Sequence, residues 1–158
     1  MGHLNNVPWI PRGAVKVVEK HMSKIKNPWI FEWGSGSNTI YWARRGFNVI
    51  SVEHNQKWHE TVVNELRRSR LAAQVKLAKR PYHKSIDCTR RFDVILIDGR
   101  DRVKCASNAI CHLGKNGIIL LDDSQREWYS QIFTMFGGMT HRHFFDNEGK
   151  RRCTVWYS

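Results

Sequence analysis

The chain has 158 residues, 41% hydrophobic and 25% charged, an ordinary balance for one globular domain spanning residues 1–158. No apolar run approaches the roughly 20 residues of a membrane span, and the start lacks the apolar stretch of a secretory signal, so a cytoplasmic location is expected. The net charge of +12 leaves two interpretations open, an anionic partner such as nucleic acid or a merely solvated basic surface.

Apolar runs alternate with helical patterns along the chain, which is typical of a parallel α/β sheet. In chain order we predict the helix Arg12–Ile25, the strand Trp29–Trp33, the helix Thr39–Arg45, the strand Asn48–Glu53, the helix Gln56–Leu71, the strand Val75–Ala78, the strand Asp93–Asp98, the helix Arg102–Leu113, the strand Gly117–Asp122, the helix Gln125–Phe136, and the strands His141–Asp146 and Arg152–Tyr157.

This order predicts a Rossmann-like, doubly wound and mostly parallel sheet of seven strands, in the order 3-2-1-4-5-7-6, with a C-terminal antiparallel hairpin. The runs DVILID and GIILLD are typical of strands buried on both faces. In such sheets a ligand binds beyond the carboxyl ends of the strands, where the strand order reverses. The acidic residues at these ends are Glu32, Glu53, Asp98, Asp122 and Asp123. They predict a binding site at that edge.

A glycine-rich turn follows the first predicted strand, in the segment IFEWGSGSNT. Gly34 and Gly36 permit a tight turn and a close approach of backbone N–H groups to a ligand. Glu53, about twenty residues further on, is placed to accept hydrogen bonds from both hydroxyls of a ribose. An adenosine ligand therefore fits. A nicotinamide cofactor is disfavoured because Thr39 stands where its pyrophosphate needs a third glycine.

Four segments, FEWGSGSNTIYWA, VISVEHNQKWHETV, FDVILIDGRDRVKCASNAI and GIILLDDSQR, carry a resemblance to a known family. The sequence resembles class I S-adenosylmethionine-dependent methyltransferases along nearly its whole length. It is similar to a group of small uncharacterised members, some of them near polysaccharide-synthesis genes. The resemblance implies S-adenosylmethionine as the cofactor. The cofactor-binding residues that it implies are Glu32, Gly34, Ser35, Gly36, Thr39, Glu53, His54 and Asp98.

The same resemblance implies a role for most of these residues. Glu32, Gly34, Gly36 and Thr39 would surround the methionine moiety, Glu53 the ribose and His54 the adenine face, and Asp98 the amino group or the acceptor. Plainer interpretations remain open. The glycines could form only a turn, Glu32 could support the following helix, and His54 could be an ordinary half-buried ring. Trp33, Trp42 and Trp58 are expected as core or wall.

Methyl transfer requires an aligned nucleophile and, for a hydroxyl, a base. The DPPY-type motif of amino-directed nucleic-acid methyltransferases is absent after the fourth strand, so transfer to oxygen is favoured, with Asp98 as the candidate catalytic residue. His141 and His143 are alternative bases. Asp98, Asp122 and Asp123 resemble the metal-binding carboxylates of catechol-type enzymes, but Asp123 replaces the usual Asn. A divalent metal is thus possible and not favoured, and Asp123 could instead cap a helix.

Basic residues concentrate in the predicted loops and the terminal hairpin: Lys79, Arg80, His83, Lys84, Arg100, Arg102, Arg126, Arg142, Arg151 and Arg152. If some flank the mouth of the site, an acidic sugar, a phosphorylated substrate or nucleic acid is favoured. The expected partner is a small-molecule or saccharide acceptor. Two other functions stay open, an enzyme that cleaves S-adenosylmethionine and a basic nucleic-acid-binding module of the same fold.

Overall fold

The computed structural model describes residues 4–5, 7–86 and 89–158. The helices are α1 Arg12–Met22, α2 Ser37–Arg44, α3 Gln56–Arg68, α4 Arg102–His112 and α5 Ser130–Met135. The strands are β1 Trp29–Trp33, β2 Asn48–Glu53, β3 Gln74–Leu77, β4 Phe92–Ile97, β5 Leu113–Leu121, β6 Thr140–Phe145 and β7 Arg152–Tyr157. Short 3-10 turns span Tyr82–Ser85 and Glu127–Tyr129. Within these described residues, no helix has the length and apolar character that crossing a membrane requires.

All seven strands belong to one sheet, in the order β3-β2-β1-β4-β5-β7-β6. The pairs β3 with β2, β2 with β1, β1 with β4, and β4 with β5 are parallel, and β7 lies antiparallel between β5 and β6. This confirms the predicted Rossmann-like fold with its C-terminal hairpin. The strand order reverses between β1 and β4, so the predicted binding edge lies where these two strands end.

The alternation of side chains along the central strands divides the core between the two faces of the sheet. Ile95 and Ile97 of β4 pack on one face with α4 and α5, whereas Val94 and Leu96 pack on the other face with α1. Because both faces are covered, β4 is apolar over the consecutive residues Val94, Ile95, Leu96 and Ile97. The predicted site residues Glu32 and Glu53 lie at the carboxyl ends of β1 and β2, and Asp98 directly follows β4.

The helix predicted over Gln125–Phe136 is too long, because α5 covers only Ser130–Met135 after a 3-10 turn. The segment before it is held to β7 instead. The amide of Ser124 donates to the carbonyl of Arg152 at 2.7 Å, and the Arg152 guanidinium donates to the carbonyl of Ser124 at 2.5 Å. Arg152 lies 28 residues further along the chain. The local sequence pattern could therefore not indicate that this contact shortens the predicted helix.

Candidate functional site

The carboxyl ends of β1 and β4 are joined directly by backbone hydrogen bonds. The amide of Asp98 donates to the carbonyl of Trp33 at 2.9 Å, and the amide of Gly34 donates to the carbonyl of Val52 in β2 at 2.9 Å. The turn after β1 is thus anchored to both neighbouring strands. The three loops that carry the predicted site residues meet at this edge, as the strand order requires.

Gly34 packs closely against the loop after β4, and its backbone has φ +101°, a conformation that favours glycine. A Cβ at this position would lie 2.9 Å from the amide nitrogen of Gly99 and 3.1 Å from the carbonyl carbon of Asp98. Both are backbone atoms that cannot turn aside. The glycine is therefore required by packing between the two loops as well as by the turn.

We expect Gly34→Ala to weaken S-adenosylhomocysteine binding at least tenfold, because the left-handed backbone alone costs an alanine about 1–3 kcal/mol and the methyl group must displace the Asp98–Gly99 peptide. Isothermal titration calorimetry measures this directly. Gly46→Ala is the matched control, since Gly46 also has a positive φ but a Cβ there meets nothing within 4 Å. Equal affinity losses in the two variants would show that the loop contact is unimportant.

Glu32 lies fully buried beneath the turn. Its Oε2 accepts a hydrogen bond from the Thr39 hydroxyl at 2.6 Å, and Thr39 Oγ1 accepts the amide N–H of Gly36 at 3.0 Å. Burial raises the pKa of Glu32 to about 7, although the Thr39 hydrogen bond opposes the rise. Glu32 therefore supports the turn and the start of α2 from below, and its direct contact with a cofactor stays a prediction.

Glu53 ends β2 with a buried carboxylate held in one orientation. Its Oε1 accepts the amide N–H groups of His54 and Asn55, each at 2.8 Å, and lies 3.0 Å from the His54 ring nitrogen Nδ1. The edge of the His54 ring faces Tyr82 with 5.7 Å between centroids. The backbone thus fixes one oxygen of Glu53. Among the residues that the structure describes, its other oxygen has one contact, with the Ser35 hydroxyl at 3.5 Å.

A cavity of about 500 Å³ opens over this edge. Gly34, Ser35, Glu53, His54 and Asp98 line it, which brings these predicted site residues together. The remaining predicted residues, Glu32, Gly36 and Thr39, are not among its lining. The donors and acceptors present suit an adenosine-containing group: a carboxylate for ribose hydroxyls and a glycine turn that lets backbone approach closely.

Two tryptophans form an aromatic wall of the cavity. Trp9 and Trp58 are stacked with 6.0 Å between ring centroids, and the Trp58 indole N–H donates to the carbonyl of Ser35 at 2.7 Å. The Trp9 amide donates to the Asn38 side chain at 2.9 Å, which fastens the N-terminal segment to α2. Trp58 was expected to lie in the core or in the wall of the site, and it lies in the wall of the cavity. Trp9 was missed, because it lies in a segment without periodicity.

Asp98 and Arg102 form the electrostatic centre at the end of β4. Arg102, 8% exposed, donates to an Asp98 carboxylate oxygen at 3.0 Å and to the carbonyls of Asp98, Gly99 and Asp122. Burial and the nearby Asp122 charge raise the pKa of Asp98 well above its ordinary value, while Arg102 opposes the rise. Arg102 therefore ties the ends of β4 and β5 together and faces the candidate catalytic carboxyl.

The carboxylates of Asp122 and Asp123, considered above as metal ligands, form ion pairs with arginines. Arg151 donates through Nη2 to Asp122 at 2.6 Å and through Nε to Asp123 at 3.0 Å, and Arg126 pairs with Asp123 at 2.5 Å. Despite its burial, Asp123 has a pKa below the ordinary value because of Arg151. The residues do not fit a divalent cation, and no cluster of three or more His, Cys, Asp or Glu side chains suited to one occurs in the described ranges.

The alternative bases of the sequence analysis lie away from this cavity. His141 and His143 stand on β6, where their rings contact Phe133, and His143 Nδ1 lies 2.9 Å from the Thr154 hydroxyl. Neither lines the cavity. The basic residues considered in the sequence analysis also lie in different places relative to the cavity. Arg100 and Arg151 line the cavity, whereas Arg102 is buried beneath it.

Comparison with known proteins supports the fold. No protein-family model and no curated protein matches the chain. Among solved structures, the chain is similar to a methyltransferase-like protein from Silicibacter pomeroyi, with 22% identity, a TM-score of 0.66, and coverage of 96% of this chain and 88% of that one. A precorrin-6y methyltransferase from Geobacter metallireducens gives 11% identity, a TM-score of 0.72, and coverage of 93% and 88%.

A third similar structure is a 16S rRNA methyltransferase from T. thermophilus in complex with AdoMet and guanosine. It shares 15% identity and a TM-score of 0.75, over 96% of this chain and 43% of that chain. Two of these three proteins are named for different acceptors, and the third is named for none. The chain thus has the fold of class I S-adenosylmethionine-dependent methyltransferases, and the fold leaves the acceptor open.

Proposed function

We propose that this protein is an S-adenosylmethionine-dependent methyltransferase that transfers the methyl group to an oxygen of a small or polymeric, anionic acceptor. One observation carries the proposal. A glycine turn with a required left-handed residue, a fixed Glu53 carboxylate and the Asp98 carboxyl line the same cavity, at the point where the strand order reverses. The similar structures support methyl transfer in general.

The cofactor half of the cavity is assigned by its donors and acceptors. Glu53 takes the ribose hydroxyls with the oxygen that its backbone contacts leave available. Gly34, Ser35 and His54 line the same cavity. The turn at Gly34 and Ser35 would hold the chain that leads to the sulfonium, and His54 would contact the adenine. When bound, S-adenosylmethionine supplies an electrophilic methyl group. The protein's task is then to align the acceptor with it and to exclude water.

We assign Asp98 as the general base that takes the proton from the acceptor's hydroxyl. Burial raises the pKa of Asp98, which makes its carboxylate a stronger base toward the proton of an acceptor. The Arg102 ion pair fixes the carboxyl at the end of β4, and its side chain, 20% exposed, reaches the cavity. Accepting a proton from a hydroxyl would leave Asp98 neutral beside Arg102, with the acceptor oxygen free to attack.

We expect Glu53→Gln to weaken S-adenosylhomocysteine binding at least tenfold, because the variant loses the charge that strengthens hydrogen bonds from the ribose hydroxyls. Calorimetric titration checks this. Glu60→Gln, an exposed residue on α3, is the control and should bind like the unchanged protein. If Glu53→Gln binds the ligand normally, the adenosine assignment is wrong.

Product analysis separates transfer from the alternatives. With labelled S-adenosylmethionine, a transferase releases S-adenosylhomocysteine only when an acceptor is present. A cleaving enzyme needs no acceptor and releases methylthioadenosine or adenosine. Absence of cofactor binding, combined with salt-dependent nucleic-acid binding, would instead indicate a binding module and would refute the proposed activity.

A further inference from the structure

The charges at the ends of β4 and β5 are balanced in number, three carboxylates against three arginines. The carboxylates Asp98, Asp122 and Asp123 are matched by the arginines Arg102, Arg126 and Arg151. These six side chains form a neutral network that fixes the loops. Arg100, which lines the same cavity, belongs to none of these pairs. Its guanidinium has no ion-pair or hydrogen-bond partner among residues 4–5, 7–86 and 89–158.

The backbone around Arg100 is held in place, unlike that of an ordinary surface arginine. On its N-terminal side, Arg102 donates to the carbonyls of Asp98 and Gly99. Its own carbonyl accepts a hydrogen bond from the Cys105 thiol at 3.3 Å. The next residue, Asp101, adopts φ 51°, a left-handed conformation that non-glycine residues adopt rarely. Such strain concentrates at functional loops, and here it presents Arg100 at the cavity.

The position of Arg100 in the sheet separates it from the adenosine half. Glu53 ends β2, Arg100 follows β4, and β1 lies between these strands. Two strand spacings amount to about 10 Å. Asp123, which follows β5 on the other side of β4 from β1, also lines the cavity. The uncompensated cation therefore stands on the side where an acceptor would meet the methyl group.

We infer that Arg100 is the specificity residue for the acceptor and binds an oxyanion, a carboxylate or a phosphate, carried by a small acceptor molecule. This inference rests on the proposed function. A guanidinium suits either group because its N–H donors form paired hydrogen bonds with two oxygens. Neutral acceptors would displace water from Arg100 without pairing its charge and would bind less tightly.

The test uses the simplest oxyanions as probes. Acetate and inorganic phosphate are titrated, at constant ionic strength, into protein saturated with S-adenosylhomocysteine, and binding is followed by calorimetry. Saturable binding is expected for at least one probe, and the tighter one distinguishes a carboxylate from a phosphate acceptor. Arg100→Gln should weaken it at least fivefold, since the variant loses the charge-assisted hydrogen bonds of the guanidinium. Arg100→Lys should retain part of it.

Arg91→Gln is the matched control, because Arg91 is exposed and directly precedes β4, at the opposite end of the strand that Arg100 follows. It makes the same charge change away from the cavity and should leave probe binding within twofold. Equal losses in both variants, or no saturable binding, would overturn the inference. So would tighter binding of single-stranded RNA that Arg91→Gln and Arg100→Gln weaken equally, which would indicate a diffuse basic surface.

Binding of the cofactor itself supplies the remaining distinction. If Arg100→Gln weakens S-adenosylhomocysteine but not methylthioadenosine, which lacks the amino acid carboxylate, then Arg100 serves the cofactor and the acceptor assignment is wrong. If the unchanged protein binds neither nucleoside, the proposed function fails first. Normal nucleoside binding without oxyanion binding refutes this inference alone.

Discussion

Arg102→Met is expected to lower the free energy of unfolding by about 3–5 kcal/mol, the range observed when one partner of a buried ion pair is removed. Arg102 is 8% exposed and satisfies the carbonyls of Asp98, Gly99 and Asp122 together with the Asp98 carboxylate. Methionine fills a similar volume but donates no hydrogen bond. The loss would therefore fall on the loops after β4 and β5, which border the cavity.

Urea unfolding at neutral pH measures this effect, with two comparison variants. Lys104→Met, at an exposed position of the same helix, removes an equal charge and should change stability by less than about 0.5 kcal/mol. Asp98→Asn combined with Arg102→Met should recover part of the loss, because the unpaired carboxylate is then gone. A change below about 1 kcal/mol in Arg102→Met would show that the loop ends do not depend on this side chain.

The sheet could be predicted because the sequences of its strands are distinctive. A segment such as DVILID, apolar on both faces, has few alternatives to a central parallel strand, and β1, β2 and β7 have the bounds that the pattern gives. Once the strand order is known, the positions of Gly34, Glu53 and Asp98 follow, since the ends of adjacent parallel strands share one edge. All three of these residues line the cavity.

The other half of the site depends on contacts between distant parts of the chain. Arg151 reaches Asp122 and Asp123 from the terminal hairpin, 29 and 28 residues further on, and no sequence period relates them. Trp9 reaches the cavity because its amide binds Asn38 and its ring stacks on Trp58. In the sequence, Asp98, Asp122 and Asp123 left a divalent metal possible though not favoured, whereas the arginine partners of these carboxylates are seen only in the fold.

The buried Glu32 predicts an unusual dependence of stability on pH. Its pKa is about 7 in the folded protein, against 4.5 as the ordinary value. Between these values the folded state holds a proton that the unfolded state has released. The free energy of unfolding should therefore decrease as pH rises from about 4.5 to 7, and the total contribution of this one group is about 3 kcal/mol.

Glu32→Gln isolates that contribution, because an amide keeps an oxygen for the Thr39 hydroxyl and does not ionise. The difference in unfolding free energy between variant and unchanged protein should shift by about 3 kcal/mol in favour of the variant between pH 4.5 and 7.5. Glu60→Gln, at an exposed site, should show no such trend. A constant difference across this range would mean that Glu32 is not protonated in the folded state.

The same variant separates the two roles open to Glu32. If Glu32 acts only through Thr39 on the Gly36 amide, then Glu32→Gln keeps that chain of hydrogen bonds and should bind S-adenosylhomocysteine within about twofold. If its carboxylate instead contacts the positively charged amino group of the ligand, binding should fall at least tenfold. Its full burial and its absence from the cavity lining favour the first result.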